Sequence, residues 1–240
     1  MNANKFSVEG FKYEERLVET INSLGLSGSV QAPAGSSSTA PDADININGQ
    51  TYSIEAKMNS AAQMGGTSLR YNPEQKTFDI VSDCVDEDTV SLMQEALKPL
   101  VSDLDKFLSA VGAEKLPATV EKSKWKDAVS SGLLKPLNVK IKRTTKFIID
   151  HYKNKGVDYI QIGNAGLFYL SENPARLPIP QLDGEINIEL RPGRSGSKKR
   201  KDGTEVAGAG IRVQGRLQFK GSSPYTLDDP QSITDMLNNI

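Results

Sequence analysis

The sequence predicts a mixed α/β fold: a mixed β-sheet flanked by helices, with a basic β-hairpin elaboration. Three observations predict it. An amphipathic helix at residues 8–25 precedes two alternating, β-branched-rich segments at 42–58. A basic amphipathic helix at 142–155 runs into further alternating segments at 157–170. Two alternating runs, 185–191 and 211–219, bracket a segment rich in Gly, Ser, Lys and Arg. Helical and strand periodicities thus interleave along one chain.

In the first helix Phe11, Leu17, Val18, Ile21 and Leu24 recur at helical spacing, and Gly25 ends the run. Glu14 falls on this apolar stripe, three after Phe11 and four before Val18, whereas Glu15, Arg16 and Glu19 point towards solvent. A carboxylate facing the core costs free energy unless it is paired or bound to a metal. The plain alternative is a stripe-edge glutamate that reaches water. Residues 27–41 form a Gly/Ser/Ala/Pro-rich loop, and its Ser36-Ser37-Ser38-Thr39 hydroxyls either contact phosphates or belong to a plain flexible loop. Asn48-Gly49 is a tight turn that folds 42–58 into a hairpin.

Further on, residues 59–73 read as a loop with a short helix and 78–81 as a strand. Residues 86–111 read as one long helix kinked at Pro99, its stripe (Val90, Met93, Leu97, Leu100, Val101, Leu104, Leu108, Val111) serving core or dimer packing. Residues 113–137 are a linker and a short helix, with Trp125 packed. The helix at 142–155 buries Phe147, Ile148 and Tyr152, and Gly163-Asn164 turns between two strands. Residues 195–203 read as a flexible basic loop at the tip of a hairpin arm, and 230–239 as a short helix capped at Ser232. A chain of 240 residues buries a full core. We read one domain, its core mainly at 8–112 and a basic elaboration mainly at 120–220.

The chemistry concentrates in the hairpin at 42–58. Strand side chains alternate, so Asp42 and Asp44 share a face, as do Glu55 and Lys57, while Ala56 points the other way. Folding at Asn48-Gly49 gathers carboxylates and one ammonium at one end of a sheet. Such an oxygen-rich set suits a hard cation, magnesium, with manganese as a substitute. A lysine beside that cation orients or activates water, which is the equipment for metal-assisted phosphodiester hydrolysis. By spacing, Asp42 and Asp44 are equal candidates for the ligand.

Pro41-Asp42, the spacer and Glu55-Ala56-Lys57 resemble the signature of the PD-(D/E)XK nucleases, the restriction-endonuclease-like superfamily. The preceding helix fits that pattern. Gln63-Met64-Gly65-Gly66 with Leu69-Arg70-Tyr71 is similar to the Gln/Gly-containing segment that follows the motif, so the resemblance covers residues 8–72. It implies a restriction-endonuclease-like core and a magnesium-dependent endonuclease acting on double-stranded DNA. It favours Asp42, directly after proline, and Glu55 as metal ligands, with the Ala56 carbonyl as another and Lys57 beside the attacking water. It implies that Glu14, in Tyr13-Glu14 with Val18, joins the metal site, and that Gln63 touches the phosphate or the lysine. A free-standing nuclease with a basic arm resembles site-specific enzymes of phages and mobile elements.

Net charge is −1, but the chain is segmented by sign. Residues 74–105 carry nine acids against Lys76 and Lys98. Residues 121–155 carry ten bases, among them Lys140, Lys142, Arg143 and Lys146, against three acids. Residues 191–220 carry nine, including Arg194, Lys198, Lys199, Arg200 and Lys201, against two. Such stretches line a groove for a phosphate backbone, or are simply solvated faces. Arg212, Gln214, Arg216 and Gln218 share a face of the last long strand, and arginine and glutamine are the side chains suited to guanine and adenine edges.

Composition narrows the alternatives. With Cys84 alone, an intramolecular disulfide is excluded, and a reducing cytoplasm is the expected compartment. His151 is the only histidine, which excludes a histidine-rich zinc site. No apolar run is long enough to cross a bilayer, and no glycine-rich phosphate loop is present. Cutting both strands with one site per chain calls for two chains, so a symmetric homodimer is expected. The competing readings are an RNA-cleaving or junction-specific nuclease, a non-catalytic nucleic-acid-binding protein on the same fold, and a structural protein in which Glu55 and Lys57 are a solvated strand face.

Overall fold

The computed structural model describes residues 3–28, 41–59, 63–80, 87–133 and 139–240. The Ser36–Thr39 hydroxyls and Cys84 lie outside them. The elements are α1 (Ala3–Ser23), β1 (Ala43–Ile47), β2 (Gln50–Lys57), β3 (Gln63–Asn72), β4 (Thr77–Ile80), α2 (Glu87–Leu97), α3 (Val101–Val111), β5 (Ala118–Glu121) and α4 (Lys122–Ser130). There follow β6 (Val139–Thr144), α5 (Lys146–Asn154), β7 (Tyr159–Ile162), β8 (Gly166–Tyr169), β9 (Gly184–Lys199), β10 (Glu205–Phe219) and α6 (Pro230–Leu237). The fold is mixed α/β with two sheets, as the interleaved periodicities predict, and the chain divides into two compact units. Among the described residues no helix is long and apolar enough to cross a membrane.

The first unit comprises Met1–Met64, Arg143–Ile186 and Arg216–Ile240. Its sheet has the order β1-β2-β7-β8, with β1–β2 and β7–β8 antiparallel and β2–β7 parallel. The turn between β1 and β2 is the expected one: Asn48 and Gly49 both have positive φ (54° and 81°), and Ile47 pairs with Gln50. Tyr13, Leu17, Val18 and Ile21 of α1 join Ala43, Ile45, Ile54, Ala56, Ile233 and Met236 in one buried cluster. Phe11, expected on that stripe, is 37% exposed. Tyr13 takes the buried place instead, because Asp228 accepts a hydrogen bond from its hydroxyl at 3.1 Å. Leu26 N–H closes the helix end on the Ile21 carbonyl at 3.1 Å, with Gly25 at φ 69°.

Gln161 on β7 is fully buried and satisfied. Its amide donates to Thr226 Oγ1 at 3.0 Å and its carbonyl accepts from Leu227 N–H at 2.9 Å. This ties the segment before α6 to the sheet. The N-cap of α6 is Asp229, which accepts from Gln231 N–H, rather than Ser232, whose hydroxyl accepts from Thr226 N–H at 2.9 Å.

One glycine is dictated by close approach. A Cβ at Gly163, just after β7, would stand 2.1 Å from the Met58 carbonyl oxygen and 2.9 Å from its carbon. Both are backbone atoms that cannot step aside, and Gly163 N–H donates to the Lys57 carbonyl at 2.8 Å. Gly163→Ala is expected to destabilise the fold by about 3 kcal/mol, read as a lowered denaturant midpoint. A midpoint equal to wild type would contradict this packing.

The second unit comprises Gly65–Lys142 and Asn187–Gly215. Its sheet runs β4-β3-β10-β9-β6, with β5 paired to β10. Residues 59–73, expected to be loop with a short helix, instead contain β3, whose pairing with β4 (Leu69↔Ile80, Tyr71↔Phe78) makes extended backbone the favoured state. Residues 87–111 are two α-helices separated by a 3-10 turn, Lys98–Leu100, rather than one kinked helix, because Pro99 has no N–H for the helical ladder. Residues 113–137 gain strand β5 before α4, and residues 142–144 end strand β6 before α5 begins. Trp125 packs edge-on against Phe107, with ring centroids 5.4 Å apart, as a core residue should.

Candidate active site

The hairpin register builds the site. Ala43 pairs with Ile54 and Asp44 with Ser53, so Asp42 follows on opposite Glu55. Asp42 N–H donates to the Ile54 carbonyl at 3.1 Å, and Asp42 Oδ2 accepts from Ala56 N–H at 2.8 Å. Asp42, Glu55 and Lys57 thereby share one face at the end of β2, while Ala56 turns into the core cluster. Asp44 is buried on the same face, but one step further along, where it accepts from Ser53 Oγ at 2.9 Å. The geometry separates the two aspartates that spacing left equal. Asp42 adjoins Glu55 and Lys57, and Asp44 adjoins Ser53.

Glu14 enters from α1. Its carboxyl lies close enough to Asp42, Glu55 and Lys57 for their charges to act on it. Its Oε2 is shielded from solvent and has no hydrogen-bond donor among the described residues. Burial first, then the negative charges of Asp42 and Glu55, raise its pKa to about 7, against the opposing pull of Lys57. Asp42 is also raised, by burial and then by Glu55, with Lys57 and the Ala56 N–H opposing. Burial acts on Glu55 in the same sense, but Lys57 and Lys155 outweigh it and hold Glu55 ionised.

Two lysines close on Glu55. Lys57 Nζ pairs with Oε1, and Lys155 Nζ lies 3.1 Å from Oε2. All three side chains are largely withdrawn from water. Burial alone would disfavour the Lys57 ammonium, but Tyr152, Glu55 and Asp42 outweigh it and raise its pKa. The Tyr152 ring backs both cations, its centroid 5.7 Å from Lys57 Nζ and 5.4 Å from Lys155 Nζ. Lys155 and Tyr152 are the members that motif reading misses. A signal is available: helical spacing buries Tyr152, and Lys155 follows at i+3, on the same helix face.

The charge balance tests whether a cation fits. Glu14, Asp42 and Glu55 carry three negative charges when ionised, against two positive ones from Lys57 and Lys155. The raised Glu14 and Asp42 carboxyls reflect burial and this crowding of carboxylates. Among the described residues no three carboxylate, imidazole or thiolate groups stand where they could hold a metal ion, and each Glu55 oxygen already faces a lysine.

Glu14 also carries a pH signature. A carboxyl raised in the folded state contributes stability that is fully present below its ordinary value and is lost as pH rises through about 7. Glu14→Gln cannot ionise, so it should melt higher than wild type above about pH 7, with the gap closing as the solution is acidified. A melting difference that does not change with pH would contradict this environment.

The basic residues are mostly on the surface. Lys142, Arg194, Lys198, Lys199, Arg200, Lys201 and Arg212 are exposed, and Gln214 and Arg216 are half-buried. Lys140 is 3.6 Å from the buried Glu189, and Lys146 pairs with Asp150 within α5. The Arg143 side chain lies outside the described residues, as does that of Gln63, which opens β3. The arm differs from expectation at its tip. Residues 195–199 continue strand β9, and only the segment from Arg200 to Thr204 turns, closed by Arg200 N–H to the Thr204 carbonyl at 2.9 Å. Pairing with β10 extends the ribbon, and Gly193 gives Arg212 room to lie across it, since a Cβ there would meet the Arg212 Cγ at 2.5 Å.

No family model, curated protein or solved structure matches the chain.

Proposed function

We propose that the protein is a magnesium-dependent endonuclease that hydrolyses phosphodiester bonds in double-stranded DNA, on a restriction-endonuclease-like core. One observation carries the reading. Glu14, Asp42 and Glu55 converge beside Lys57 with an unbalanced negative charge, and each arrives on the element that the motif assigns to it. The order α1-β1-β2, with α5 crossing to β7 parallel to β2, supports the core assignment. Asp42 and Glu55 hold the cation, with the Ala56 carbonyl as a further ligand and Glu14 steadying it. When bound, the metal supplies a polarised water and neutralises charge on the scissile phosphate. Lys57 remains an ammonium in this setting, so it holds and orients the attacking water rather than taking its proton. Lys140, Lys142, Arg143, Lys146, Arg194, the Lys198–Lys201 tip, Arg212, Gln214 and Arg216 supply backbone and base-edge contacts, Gln63 a phosphate contact, and two copies of the chain supply the two cuts.

The pairing of both Glu55 oxygens supports a second reading, a non-catalytic nucleic-acid-binding protein in which Glu55, Lys57 and Lys155 clamp β2 to α5. A cleavage assay separates the two. Supercoiled plasmid and genomic DNA are incubated with magnesium or with chelator. Discrete magnesium-dependent fragments establish a site-specific endonuclease, and a smear establishes a nonspecific one. Binding without cleavage of duplex, single-stranded, junction or RNA substrates overturns the hydrolase reading.

A further inference from the structure

The sheet of the second unit holds a buried charge that the proposed hydrolysis does not use. Strands β10, β9 and β6 are neighbours in that sheet. Ile188 and Leu190 of β9, and Ile211 and Val213 of β10, are buried. The alternate positions are charged: Lys140 and Lys142 on β6, Glu189 and Arg191 on β9, and Arg212 on β10. Arg212 reaches over β9 on this side, since its Cγ lies 2.5 Å from where Gly193 would carry a Cβ. On a face of bases Glu189 is the exception, and only 5% of it is exposed. A carboxylate in this position weakens the attraction for phosphate, and its burial costs free energy unless it is paired. Two cations pair with it. Lys140 Nζ lies 3.6 Å from Oε1, and Arg191 Nη2 lies 2.5 Å from Oε2.

The two partners differ. Lys140 is an exposed ammonium at the longer distance. Arg191, two residues along the same strand, is held close, yet its side chain is 42% exposed. Its Nε is shielded from solvent and meets no acceptor among the described residues, so the exposure falls elsewhere on the side chain. An arginine fixed in this way differs from the exposed lysines at the tip of the arm. Those are flexible point charges, suited to phosphate. A guanidinium held through one Nη keeps its planar fork and presents it at little further entropic cost. That fork matches the O6 and N7 acceptors of guanine in the major groove. We infer that Arg191 is a specificity-determining residue that reads a guanine edge, and that Glu189 is a positioning residue that sets its guanidinium. The inference rests on the duplex-DNA reading and divides the work of binding. Solvated bases supply affinity without sequence preference, and the Glu189–Arg191 pair supplies the preference.

The test separates preference from attraction. The full chain, kept in chelator, selects from a randomised duplex library. Its affinity is then measured for the enriched duplex and for a scrambled one. Wild type is expected to enrich a guanine-containing site. Arg191→Lys keeps the charge and should lose about tenfold in affinity at that site, with its affinity for scrambled DNA and its melting temperature unchanged. Glu189→Gln should lose the preference for the same guanine and bind scrambled DNA at least as tightly as wild type, because it removes a negative charge. A role confined to packing would lower the melting temperature of Glu189→Gln and leave the ratio of the two affinities alone. A ratio equal to wild type in either variant overturns the inference and leaves the duplex-DNA reading standing. Duplex binding by wild type without any sequence preference does the same. No duplex binding by wild type overturns both.

Discussion

Lys57→Ala is expected to reduce magnesium-dependent plasmid cleavage by about three orders of magnitude while leaving the melting temperature near that of wild type. The two halves of this result have separate causes. Activity falls because the ammonium proposed to orient the attacking water is gone. The fold survives because Glu55 keeps a partner in Lys155, 3.1 Å from its other oxygen. Glu55→Ala should be equally inactive but less stable, since it removes the carboxylate that the buried Lys57 and Lys155 both pair with, a change that costs about 3–5 kcal/mol for a buried pair. The same logic ranks the aspartates. Asp42→Asn should lose cleavage nearly as completely as Glu55→Ala. Asp44→Asn, whose oxygen faces Ser53, should retain most of it. Full activity in Lys57→Ala, or an Asp44→Asn enzyme as dead as Asp42→Asn, would remove the site as assigned.

Replacing Lys198, Lys199, Arg200 and Lys201 together by alanine is expected to lower the salt slope of duplex DNA binding by about two to four. Each phosphate neutralised by a basic side chain releases condensed counterion, so the drop in slope reports how many phosphates the tip neutralises. All four side chains are exposed at the end of a paired ribbon, where substitution removes charge and little packing. A two-stranded ribbon is narrow enough to enter the major groove. The variant should therefore keep its fold, and lose affinity most at low salt. A slope equal to wild type would show that the tip is only a solvated end, and would take the arm out of DNA binding.

Much of the fold is legible in the sequence because local chemistry and tertiary packing agree. Asn48-Gly49 demands a two-residue turn, and β1 and β2 pair around it in that register. The α1 stripe and Gly25 mark a helix with a defined end. The misreadings fall where long-range pairing decides the state. Residues 63–72 lack strong alternation and become a strand because β4 pairs with them, and 195–199 become ribbon because β10 lies alongside. Composition suggests a loop for the second stretch, since Gly and Ser lower strand propensity and a partner strand restores it.

The candidate site divides in the same way. By itself the sequence determined the candidate residues: carboxylates at Asp42, Asp44 and Glu55 with Lys57 on strand faces, and Glu14 on the apolar stripe of a helix. These follow from the strand period of two and the helix period of 3.6, which are properties of the local backbone. Only the tertiary structure decided that Asp42 rather than Asp44 adjoins Glu55 and Lys57. It alone brought Lys155, 100 positions along the chain from Glu55, onto the second oxygen of that carboxylate. The reason is that charge in a protein interior acts through space, between elements the chain joins only by folding. The parallel pairing of β7 with β2 sets the C-cap of α5, Lys155, against Glu55, and no local pattern records that distance.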